Sequence, residues 1–80
     1  MSSLDTIAAK LADDTVEAMR ITGDERLYVE IGALIGASSQ TLEEAYLTAI
    51  RVRLAERAAR RLLNGKLAAA KGAARGQDAG

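Results

Sequence analysis

The side chains able to do chemistry in this chain are carboxylates, guanidinium groups and one short polar run, because histidine and cysteine are both absent. Without them the commonest general base and the thiol nucleophile are missing. Disulfides and zinc–thiolate sites are excluded as well. Asp13 and Glu17 stand four residues apart, a spacing that puts two carboxylates on one helix face. No dense carboxylate loop accompanies them, so Asp13, Asp14 and Glu17 read as a solvated acidic face rather than a metal site. No catalytic residue, metal ligand or cofactor motif emerges. The chemistry left is binding, and a non-enzymatic protein is expected.

Charge is unevenly spread along a chain whose formal net charge is zero. Up to Glu44 nine acids face three bases, a balance of −6; from Ala45 onward eight bases face two acids, a balance of +6. Such asymmetry suits an acidic or polyanionic partner for the second half. It equally suits a dipolar molecule whose ends attract each other, within one chain or between two.

The elements that must position these groups are helices. Ser2 or Ser3 can cap a first helix, with Asp5 completing a loose capping box. Leu4, Ile7, Ala8, Leu11, Thr15 and Ala18 repeat at helical spacing and give it one apolar stripe. Gly23 supplies a left-handed terminus. Asp24 is placed to cap a second helix, with Leu27, Tyr28, Ile31, Leu34 and Ile35 as its buried side and an Arg26–Glu30 pair outside. Gly32 costs that helix about 1 kcal/mol relative to alanine, as happens where another segment passes close by. After the Gly36-Ala37-Ser38 corner, Ser38 can cap a long third helix. Leu42, Ala45, Ala49 and Val52, with Tyr46 beside them, form one apolar face; Leu47, Ile50, Leu54 and Ala58 form another. A second apolar face needs a second partner. Farther on the helix turns arginine-rich. Glu56 can pair with Arg60, whereas Arg53, Arg57 and Arg61 are like-charged neighbours. Asn64-Gly65 is expected to stop the helix. The reading is therefore all-α: a helical domain over 1–65 and a flexible Ala/Gly/Lys-rich tail over 66–80, the last of it disordered.

Residues Ile31-Gly32-Ala33-Leu34-Ile35-Gly36-Ala37-Ser38-Ser39-Gln40-Thr41-Leu42 resemble the helix-turn-helix of bacterial and phage transcription regulators. A small residue, Gly32, stands four places before the turn glycine, Gly36. Aliphatic residues flank both, and a Ser-x-x-Thr-aliphatic run follows. The likeness covers roughly 27–47. It implies that the third helix enters the major groove of duplex DNA with Ser39 and Gln40 at base edges. Arg51, Arg53 and Arg57 would then contact phosphates. Glu43 and Glu44, on the same helix, oppose the electrostatic term that drives DNA binding.

Those two acids keep a different function open, that of a protein-binding inhibitor or interaction module. Its acidic first half, with Asp13, Asp14 and Glu17, would occupy a basic nucleic-acid-binding surface on a protein partner. It would be similar in that respect to small phage inhibitors such as anti-CRISPR proteins. Eighty residues without Phe or Trp give a small aliphatic core, for which self-association is the usual support. A homodimer is expected, formed through Leu47, Ile50 and Leu54. No apolar run reaches the roughly 20 residues of a membrane span, and no signal-peptide pattern opens the chain, so a cytoplasmic location is expected.

Overall fold

The computed structural model describes residues 2–79, with the side chains of 2–73. Three helices follow one another: α1 (Ser3–Thr22), α2 (Leu27–Gly36) and α3 (Gln40–Ala79). No strand occurs among the described residues. The all-α class, with two shorter helices and one long one, is thus as the sequence periodicity implies.

Helix ends follow local chemistry, at two starts one or two residues away from the expected cap. Ser2 caps α1: its Oγ accepts the Asp5 amide at 3.2 Å and donates to the Asp5 carboxylate at 3.1 Å. Gly23, at φ 74°, closes α1 with its amide on the Met19 carbonyl at 2.9 Å. Asp24 does not cap α2. Its amide is held by Thr22 Oγ1 and its carboxylate accepts the Arg26 amide, which tightens the turn, and α2 begins only at Leu27. The Arg26–Glu30 pair does not form among the described residues. Ser39, not Ser38, caps α3 by accepting the Leu42 amide at 3.1 Å. The reason lies in α2, whose winding continues past Gly36, with the amides of Ser38 and Ser39 both bonded to the Ile35 carbonyl.

The core sits where α1 and α2 lie against the first half of α3. Tyr46 and Ile50 are wholly buried, packed with Ala8 and Ala12 of α1. Asp5 and Ala9 of α1 lie beside Thr41 and Thr48, Asp13 reaches Arg53, and Met19 lies beside Leu54, so α1 runs parallel to α3. Gly36 lies beside Glu43, Gly32 under Leu47, and Tyr28 beside Leu54, so α2 runs antiparallel to it. A β-carbon on Gly32 would stand 3.2 Å from Leu47 Cδ2, which accounts for glycine within α2. The Tyr46 hydroxyl donates to Thr15 Oγ1 at 2.8 Å, and Thr15 in turn donates to the Leu11 carbonyl at 2.7 Å.

This packing corrects three expectations. Ile7 and Leu34 belong to no buried stripe and face solvent, because the tight seams run instead through Ala8–Ala12–Thr15–Met19 and Gly32. Both apolar faces of α3 already have partners within the chain, one in α1 and one in α2, with only Val52 and Ala58 of those residues left exposed. The face of Leu47, Ile50 and Leu54 is core: Ile50 is buried and the other two pack against it, so it is not a surface for a second copy. Finally, Asn64-Gly65 does not stop α3, which continues as helix past both. One glycine costs a helix about 1 kcal/mol, and the surrounding Ala, Leu, Arg and Lys are strong helix formers. The tail expected over 66–80 is drawn into the helix at least through Lys71, while the side chains of 74–80 lie outside the described residues.

The distal half of α3 therefore projects alone, with every side chain of 55–73 exposed. The radius of gyration is 18.0 Å, against about 12 Å for a compact chain of this length. Replacing Gly65, whose surroundings are open, with alanine should raise helix stability around it by about 1 kcal/mol. Slower amide hydrogen exchange over 60–70 would register this. A helix that ended at Gly65 would leave exchange beyond it unchanged.

Candidate binding groove on the long helix

Where α1 ends and α2 begins, both lean on the middle of α3 and leave a groove of about 480 Å³. Its apolar lining is Met19, Tyr28 and Leu54; its charged rim is Arg20, Glu25, Arg57 and Arg61. Gly23, whose left-handed turn closes α1, lines the end of the groove. Arg57 and Arg61 are one helical turn apart on the same row as Arg53. Neither forms an ion pair among the described residues. Two adjacent guanidinium groups above an apolar lining attract a ligand that carries negative charge on an apolar body.

Eight other charged side chains pair with one another within the chain. Arg53 donates to Asp13 Oδ1 at 2.6 Å and to the Ala49 carbonyl at 3.0 Å. The hydrogen bond from Arg53 holds the Asp13 carboxyl below its ordinary range. Glu17 is bonded by Arg20 at 2.6 and 3.1 Å, which likewise lowers its pKa and raises that of Arg20. Asp14 lies 3.5 Å from Lys10, and Glu56 3.4 Å from Arg60. Asp13, Asp14 and Glu17 thus remain at the surface as an acidic face, each with a cation of its own chain beside it.

The five residues expected at DNA do not form one surface. Ser39 spends its hydroxyl on the Leu42 amide. Gln40 and Arg51 are exposed and share the side of α3 that neither α1 nor α2 covers. Arg53 and Arg57 lie on the opposite side, toward α1 and the groove, and Arg53 is tied to Asp13. Glu43 does not project at the start of α3: its half-buried carboxylate folds back against Gly36. Glu44 alone of that acidic pair faces solvent.

Sequence reasoning misses the groove. The Arg57/Arg61 spacing gives half of the signal, as a like-charge pair that calls for an acidic neighbour. The other half, Met19 and Tyr28 arriving beneath them, depends on α1 running parallel to α3, which no local pattern announces. Among the described residues no helix is long and apolar enough to cross a membrane. No family model matches the chain, and no match was found among curated proteins or solved structures.

Proposed function

We propose that this chain is a non-enzymatic binding protein that takes an acidic, apolar-anchored segment of a partner protein into the groove beside Arg57 and Arg61. One observation carries the reading: two guanidinium groups without ion-pair partners among the described residues stand over Met19, Tyr28 and Leu54. A leucine or phenylalanine of the partner would occupy the apolar lining, and carboxylates one turn away would meet the arginines. Shielding such charges from water strengthens the pairing. The test is titration with a short amphipathic peptide carrying Leu and Glu at i,i+4 spacing, followed by fluorescence anisotropy. Binding should weaken as salt rises and fall at least tenfold in the Arg57→Glu/Arg61→Glu double variant. Both arginines are exposed, so the variant should keep its fold. Equal affinity of variant and native chain would overturn the proposal, as would no binding at low salt.

A second reading, a duplex-DNA-binding regulator of the helix-turn-helix type, is favoured by the α2–turn–α3 corner, with Gly32 packed under Leu47 and Gln40 exposed at the start of α3. It ranks behind the first because Ser39 and Arg53 already have partners within the chain. It predicts duplex affinity that falls steeply with salt and drops on Arg51→Ala or Gln40→Ala. The absence of duplex binding at low salt would end it.

A further inference from the structure

On the side of α3 away from the groove, one row of exposed residues runs the length of the helix: Glu44, Thr48, Arg51, Ala55, Leu62 and Lys66. α1 reaches only its edge, where Glu44 and Thr48 border a shallow groove beside Asp5 and Ala9. Leu62 in the row, and Val52 and Leu63 beside it, expose between half and two-thirds of their surface, although each is an aliphatic residue on a helix with an otherwise charged flank. The row is acidic at Glu44 and basic at Lys66, and between them Arg51 is its one charge among the small or apolar Thr48, Ala55 and Leu62. That order decides the occupant.

We propose that this row is covered by the same row of a second copy, with the two α3 helices antiparallel and Ala55 at the two-fold axis. In that register Glu44 of each copy meets Lys66 of the other, Thr48 meets Leu62, and Arg51 lays its stem over Ala59. The small side chains at 48, 55 and 59 let the helices approach closely. A parallel pair would set Glu44 against Glu44, Arg51 against Arg51 and Lys66 against Lys66. The antiparallel pair instead sets Glu44 against Lys66 at both ends of the contact, and Arg51 against Ala59 rather than against another arginine. Like charges at such contacts oppose association and opposite charges favour it, over a range of about 8 Å at physiological salt. An interface one helix wide lies at the small end of stable contacts, so association in the micromolar range is expected. The groove at Arg57 and Arg61 stays open in this dimer, and the two proposals stand or fall separately.

Because the chain has no cysteine, single cysteines report the register directly. Glu44→Cys and Lys66→Cys chains, mixed and oxidised at 100 µM or so, should cross-link with each other and not with themselves. Native chain should sediment at about twice 8.4 kDa at that concentration, and lose mass as salt rises. Leu62→Glu should return it to the single-chain mass with unchanged helical circular dichroism, since Leu62 lies outside the core of its own subunit. Self-cross-linking of each cysteine variant would mean parallel pairing and overturn the proposal. A native chain that stays at the single-chain mass would do the same.

Discussion

Tyr46→Ala should cost this protein a large share of its folding stability. Tyr46 is the largest wholly buried side chain, and it is the only aromatic ring in a buried cluster otherwise made of Ala8, Ala12 and Ile50. Removing a buried ring costs about 3–5 kcal/mol, because packing is lost and a cavity is left. A domain of this size has only about 4–12 kcal/mol in total. Alanines on α1 cannot move in to fill the space, since their backbones already lie against α3. The Thr15 hydroxyl would keep its bond to the Leu11 carbonyl, so the loss is one of volume rather than an orphaned polar group. Urea unfolding followed at 222 nm should show the midpoint falling by half or more. Tyr46→Phe separates ring from hydroxyl. It should cost about 1 kcal/mol, the worth of one hydrogen bond.

The same pair of variants reports the ionisation of Tyr46. Burial pushes its phenol above the usual tyrosine range, and the bond to Thr15 offsets this only in part. The folded state therefore holds the proton more tightly than the unfolded chain. Stability is complete below the unfolded value, about 10, and is lost as pH rises through the folded value. Above pH 10 the native chain should lose stability more steeply than Tyr46→Phe.

How much of this is legible in the sequence depends on how local the cause is. Ser2 with Asp5, and Gly23, act within one turn, and both are plain from residue type alone. Gly32 is legible as a close crossing because a helix gives up stability to carry a glycine, and a passing side chain compensates it. Asp24 and Ser38 sit two residues and one residue before the true cap positions of α2 and α3, Arg26 and Ser39. Asx turns and helix caps use the same side chains, and only the final hydrogen bonds tell them apart. The chain direction of α1 is not legible. A stripe of Ala8, Ala12, Thr15 and Met19 serves parallel and antiparallel packing equally well. That direction fixes whether Met19 arrives beneath Arg57, so the groove is hidden with it. The two apolar faces of α3 are visible in its periodicity. Their number suggests a second chain, whereas two helices of the same chain fill both.

Ile50→Glu follows from that last point, and it should unfold the protein rather than split a dimer. Ile50 is fully buried, in one cluster with Tyr46, Ala8 and Ala12. The substitution removes the apolar burial of an isoleucine, worth about 2–3 kcal/mol. It then adds the cost of an unpaired carboxylate, several kcal/mol more unless the group takes up a proton. Together these remove much or all of the stability expected of the domain. Leu62→Glu, twelve residues on, makes the same kind of change where the side chain is 66% exposed, and the fold should not register it. Side by side, the two variants separate core from surface on one helix. Ile50→Glu should give a random-coil spectrum at every protein concentration. Leu62→Glu should keep a native spectrum and a native melting temperature at high dilution. A folded Ile50→Glu chain of reduced mass would return Ile50 to a subunit interface and refute the packing of α1 and α2 on α3.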